Sequence, residues 1–245
     1  MVFSTFQFLI TTVLAVVCAR AISLSEGDIP VLALIIPVLW VLPQGGVAGL
    51  LLLAVMAVYG LTLPYQPIAL SVSVWILFPL MMVVFSRRSS IGVILTTALI
   101  VITLQVGIMV TQSAGKLGGS ASVTVVQTIA VILAWWATRY WKPSGQHSWW
   151  ALGLVLPLWL ADLPYAALVA LCATGIIASL ESLNRASFQW SKLLCWILPT
   201  VGFAVLVVMP DIEVPNPVFV VWICLLGTAW MTDYILKSLD ENEEV

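Results

Sequence analysis

Apolar residues run along this chain in long blocks, and each block ends at a short cluster of Gly, Pro or charged residues. The blocks lie at about 3–22, 30–42, 46–62, 68–86, 91–112, 123–141, 149–161, 165–180, 193–209 and 218–237. Between them stand turn-forming sequences such as Pro43-Gln-Gly-Gly46, Pro64-Tyr-Gln-Pro67 and Asp162-Leu-Pro164. The apolar–polar alternation of a membrane β-barrel strand is absent, so the blocks read as helices. A helix crosses a bilayer core with about 20 apolar residues. The pattern therefore predicts an all-α polytopic membrane protein with about ten transmembrane segments.

The first half of the pattern returns in the second. Val13-Leu-Ala-Val-Val-Cys-Ala-Arg20 is echoed by Ile132-Leu-Ala-Trp-Trp-Ala-Thr-Arg139. Pro37-Val-Leu-Trp40-Val-Leu-Pro43 is echoed by Pro157-Leu-Trp159-Leu-Ala-Asp162-Leu-Pro164, and Trp75-Ile-Leu-Phe-Pro79 by Trp196-Ile-Leu-Pro199. Three echoes in the same order, each offset by about 120 residues, indicate an internal duplication. Residues 1–112 form the first five-helix repeat, 113–122 a linker loop that the Gly115–Gly119 stretch predicts to be flexible, and 123–238 the second repeat. An acidic cytoplasmic tail, 239–245, follows.

Positive charge sets the orientation. With ten crossings, Arg87, Arg88, Arg139, Lys142, Arg185, Lys192 and Lys237 all fall on one face, leaving out only Arg20 and Lys116 of the nine basic residues. The acidic pairs Glu26/Asp28 and Asp211/Glu213 fall on the other. Both termini are then cytoplasmic, and the bacterial inner membrane is the expected location. Because each repeat has an odd number of crossings, the second enters the membrane inverted, related to the first by a pseudo-two-fold axis in the membrane plane. Residues 1–23 have no basic residue before their apolar run and take part in the repeat, so they are expected to be a retained helix and not a signal peptide.

Segments 2, 3, 7 and 8 are short, at 13 to 17 residues. Thirteen helical residues cover only about 20 Å of a core about 30 Å thick. Each pair is therefore either two short crossings or a re-entrant hairpin, and paired interruptions of this kind point to a transporter's binding site. At the first turn Gln44, Gly45 and Gly46 offer an amide and open backbone. At the second, Asp162 and Tyr165 offer a carboxylate and a phenol. Two readings of Asp162 stand open: an ion- or substrate-coupling group within the membrane, where a carboxylate costs about 2.5–3.5 kcal/mol, or a cap on the N-terminus of segment 8. Gln105 and Gln127 are the most internal polar residues and join the candidate site. Pro79 and Pro199 are expected to kink segments 4 and 9 and to suit gating.

Composition narrows the function further. Apolar residues make up 62% of the chain and charged ones 8%, leaving no soluble domain. The net charge of −2 gives no basis for nucleic-acid binding. The four cysteines sit apart inside apolar segments, so neither a disulfide framework nor a metal site is expected. His147 is the single histidine and lies in a loop, Glu181 is assigned to a cytoplasmic loop, and no catalytic, cofactor or nucleotide-binding motif is present. No enzyme is expected. A five-plus-five inverted layout is shared by several transporter superfamilies, none of whose residue motifs occur here.

The leading expectation is a small secondary transporter or exporter, driven by an ion or solute gradient, for a small molecule or ion. The alternative is a non-transporting membrane subunit of an envelope-biogenesis or secretion complex. The bilayer is the expected partner in both, with a homodimer or a partner membrane subunit as further candidates. The orientation has a direct test in single-cysteine labelling with a membrane-impermeant thiol reagent. Ser89 and Gln146 are expected to react from the cytoplasmic face, Ser120 and Glu213 from the opposite face. Labelling of Ser89 and Ser120 from one side would break the odd-number topology.

Overall fold

The computed structural model describes residues 2–25, 29–86, 89–141, 145–184 and 190–243, without the side chains of 190–191 and 239–243. Glu26, Asp28, Arg87, Arg88, Lys142 and Arg185, which entered the orientation argument, lie outside the described residues. Within them the chain is helical and has no β-strand. The α-helices are α1 (Val2–Leu24), α2 (Val31–Thr62), α3 (Ile68–Ser73), α4 (Leu77–Val84), α5 (Ile91–Ser113), α6 (Ala121–Arg139), α7 (Val155–Leu160), α8 (Pro164–Asn184), α9 (Trp190–Val208) and α10 (Asn216–Glu243). Short 3₁₀ stretches cover Leu63–Tyr65, Val74–Ile76 and Trp149–Leu154. The helix α10 carries the backbone through most of the expected tail.

Six helical stretches are long and apolar enough to cross a membrane: α1, residues 31–65, α5, α6, α8 and α10. Residues 68–84, 149–160 and 192–208 are apolar but shorter. On α5 the arrangement of side chains is the reverse of that on a surface helix of a soluble protein. Ile91, Leu95, Leu99, Ile102, Val106 and Val110 form an exposed stripe at helical spacing, whereas Thr97, Gln105 and Gln112 are buried. Water would penalise such a stripe, while lipid accepts it. The protein is an integral membrane protein.

Residues 31–65 are not one straight span. Gly46 adopts φ 51° and ψ −131°, a conformation essentially confined to glycine. Beyond it the helix turns back on itself, so that a Cβ on Gly60 would lie 3.3 Å from the Cα of Val31. In a continuous helix those residues would be about 43 Å apart. The expected break at Pro43–Gly46 is therefore the tip of a helical hairpin with arms 31–45 and 47–62.

Proline accounts for two further interruptions and leaves a third site continuous. The ring of a helical proline clashes with the carbonyl four residues earlier. The 3₁₀ stretch Val74–Ile76 lies where Pro79 has that effect, and the end of Trp149–Leu154 lies where Pro157 does. Pro199, by contrast, sits inside α9.

Asp162 does not cap α8. Its φ is 59°, its N–H donates to the Trp159 carbonyl (3.2 Å), and the Leu163 N–H donates to the Leu158 carbonyl (3.0 Å). These are the two bonds of a Schellman motif closing α7, with Asp162 as its left-handed residue. Asp is one of few side chains tolerated there. Leu163 packs against the cluster that contains buried Leu158, the apolar contact that accompanies this motif.

The stretch 114–120, expected to be a flexible loop, packs on the chain before α3. Leu117 is buried, and a Cβ on Gly118 would lie 2.8 Å from Cγ of Pro67. The linker lies tightly on the Gln66–Pro67 turn because only glycine leaves room.

Small residues bring the longer helices together, as expected where lipid removes the hydrophobic drive for helix pairing. Thr11, Ala15 and Ala19 form the buried face of α1, which packs on α8 and α9. Ala130, Ala134 and Ala137 do the same for α6, which packs on α2 and α3–α4.

The two backbone devices can be tested together. Gly46→Ala and Asp162→Ala are each expected to destabilise the protein by about 1–2 kcal/mol, with Asp162→Asn close to neutral. Unfolding of the purified protein in mixed micelles measures this. A neutral Gly46→Ala variant would mean that the hairpin tip is not so constrained.

Candidate functional site

The chain breaks between α2 and α3 at Pro64-Tyr-Gln-Pro67, and Gln66 there is only 7% exposed. A buried amide needs partners, since lipid supplies none. Gln66 Nε2 donates to Gln127 Oε1 (3.1 Å) on α6. Gln127, fully buried, donates in turn from Nε2 to Ser71 Oγ (2.9 Å) on α3 and Thr62 Oγ1 (3.2 Å) on α2. Thr124 has one hydroxyl proton and donates it to the nearer acceptor, Gln112 Oε1 at 2.7 Å, with Gln66 Oε1 at 3.2 Å. Gln112 Nε2 closes the circuit on the Gly118 carbonyl (3.2 Å). Tyr59 braces the same region by donating to the Ser71 carbonyl (2.7 Å) and accepting from Trp75 Nε1 (3.0 Å).

Thr124 also lines a small cavity of about 10 Å³ with Ser73, Gln105 and Trp222. That volume is about one water. Trp222 Nε1 is buried without a hydrogen-bond partner, and its ring stacks on Phe203 with centroids 4.6 Å apart. The cavity wall is mostly aliphatic, with one amide, two hydroxyls and an indole set into it from α3, α5, α6 and α10, and no ionisable side chain lines it. Its chemistry suits a small uncharged hydrogen-bonding group.

The structure separates the residues that the sequence singled out. Gln127 is central to the network and Gln105 lines the cavity beside it. Gln44 and Gly45 lie elsewhere: Gln44 Oε1 accepts from the Gly145 N–H (3.4 Å), and Trp141 covers Gly45, 3.1 Å from where a Cβ would stand. Asp162 and Tyr165 are exposed at the second turn. The chain passes Trp40 at Ser148, whose N–H donates to the Trp40 carbonyl (2.9 Å), and then runs through 149–160 to Asp162. Twelve residues of helix correspond to about 18 Å or more, so Asp162 is not beside Gln44.

A second polar focus lies beside the first hairpin tip. His147 stacks on buried Trp40 with centroids 3.9 Å apart, and its Nε2 lies 2.8 Å from Glu181 Oε2. Glu181 Oε1 and Trp40 Nε1 are buried without partners. His147 and Glu181, read from the sequence as loop residues, form an inter-element pair that ties the 145–148 segment to α8. Among the described residues no group of three metal-ligating side chains occurs.

Gln66, Ser71, Thr124 and Trp222 were not foreseen. Gln66 sits between two prolines and so resembles a solvated turn. One signal was available on α5: Gln105 and Gln112 are two helical turns apart and so share a face.

The network sets an expectation for stability. Gln127→Leu removes three hydrogen bonds and is expected to cost about 2 kcal/mol, at about 0.6 kcal/mol per membrane bond. Gly118→Ala, which leaves every side chain of the network in place, is expected to lower the unfolding midpoint through the Pro67 contact. Unfolding titrations in mixed micelles read both, and an unchanged midpoint for Gln127→Leu would remove the network from the stability of the fold.

No protein family, curated protein or solved structure matches this chain, so its site is read from its own chemistry.

Proposed function

We propose that the protein is a small secondary transporter in which two inverted five-segment repeats move about the Gln105–Thr124–Trp222 cavity, carrying a small uncharged solute down its gradient. The observation that carries this reading is a cavity with an unpartnered indole N–H, fed by a fully buried amide network, at the junction of α3 and α5 with α6 and α10. Two related halves meeting at a polar midpoint site are the layout of many gradient-driven transporters.

Packing supports the repeat beyond the sequence echoes. A shift of about 120 residues exchanges the contact of α1 with α8 and α9 for that of α6 with α2 and α3–α4. The buried faces agree as well: at the offset of the first echo, Thr11 and Ala15 of α1 correspond to Ala130 and Ala134 of α6, all four buried.

Labelling from both faces tests the reading without a known solute. In a background with Cys18, Cys172, Cys195 and Cys224 replaced, Gln105→Cys is expected to react with a small impermeant thiol reagent both in intact cells and in inverted vesicles. A non-transporting subunit leaves that position silent from both faces, and a fixed one-sided pocket labels from one face only. Either result overturns the proposal.

A further inference from the structure

Where α4 and α6 meet the second arm of α2, the surface opens into a cleft of about 490 Å³. Its walls are apolar, including Leu51, Met81 and Leu133, and its mouth carries Trp136, Tyr140 and Arg139. Sites that enclose small molecules fall at about 300–1,000 Å³. Trp and Tyr at a helix end mark headgroup level, and Leu133 lies more than one turn deeper, toward the hydrocarbon.

Arg139 is the informative residue. Its guanidinium lies over Trp135, 5.6 Å from the ring centroid, and among the described residues no carboxylate pairs with it. Its counterpart in the sequence repeat, Arg20, is placed differently: Asp211 lies 3.8 Å away, and Met209 accepts from the same guanidinium nitrogen. One repeat therefore supplies its own acid, while the other leaves a cation at the mouth of a lipid-facing cleft. In sequence, Arg87 and Arg88 follow the cleft residue Phe85 within three positions, and Lys142 follows Tyr140 within two. Cation at the mouth, aromatics at headgroup depth and apolar walls below match one occupant in charge and polarity.

We propose that this cleft binds an anionic phospholipid, its phosphate on Arg139 and one acyl chain along Leu51, Met81 and Leu133. Basic pockets between membrane helices hold anionic headgroups in this way. The site is independent of whether the protein transports, since a subunit of a complex would carry it equally.

The test is native mass spectrometry of the delipidated full-length protein, titrated with phosphatidylglycerol or phosphatidylcholine of identical acyl chains. Wild type is expected to retain phosphatidylglycerol preferentially. Arg139→Gln is expected to weaken that lipid about fivefold and to remove the preference, whereas Arg20→Gln keeps it. Leu133→Trp fills the cleft and is expected to weaken both lipids with the cation intact, which keeps the proposal testable if Arg139→Gln fails to fold. Excess inorganic phosphate leaves the lipid bound if the acyl chain contributes. No preference in wild type, equal loss in Arg20→Gln, unaffected binding in Leu133→Trp or displacement by phosphate would each overturn the assignment.

Discussion

Backbone that leaves a helix inside a membrane must find its hydrogen-bond partners within the protein, because the surrounding hydrocarbon has none to give. Most of what is distinctive in this molecule follows from that constraint. The chain breaks its helices repeatedly, and three of the described breaks are accommodated in different ways. At the first hairpin tip, Ser148 reaches the Trp40 carbonyl and the Gln44 amide takes the Gly145 N–H. At Asp162 the chain closes its own turn with two backbone bonds. At Gln66 the backbone N–H turns back to the Leu63 carbonyl, and the buried side-chain amide is satisfied by Gln112 of α5 and Thr124 and Gln127 of α6. That last arrangement is the most elaborate, and it brings a polar circuit to the junction of these helices.

Uncharged groups are well suited to such a circuit. Amides and hydroxyls can pass hydrogen bonds around a closed path without the desolvation cost of a buried ion. Charges are used elsewhere: on α10, Asp233 pairs with Lys237 and stands 3.9 Å from Lys192 of α9. The protein thus holds one helix junction with neutral amides and another with charges.

The backbone plan was largely legible in the sequence, because it depends on local rules. Gly-Gly after Pro43 and the short apolar runs announced the first hairpin, and the helical blocks announced the membrane. The site was legible only in part. Gln105 and Gln127 stood out as polar residues in apolar surroundings, whereas Gln66 and Thr124 gain their meaning from partners 46 to 61 residues away. The left-handed backbone of Asp162 was not legible, although it explains why that residue type is tolerated at the turn. Nor was the role of Gly118, since glycines that permit close packing on Pro67 look the same in sequence as glycines that permit motion.

Gln44 and Asp162 are separated along the chain's path, so the two hairpin tips do not share one site. The first tip is held by Trp141, Gly145 and the His147–Glu181 pair, and the second by the Schellman turn that Asp162 allows. The two closures differ in kind. The first is made of long-range contacts that a rigid-body displacement would break, while the second is local and would survive one. A rigid-body displacement of these helices would therefore act first on the end at Gln44 and His147, where the half-buried Glu181 already has one buried oxygen without a partner.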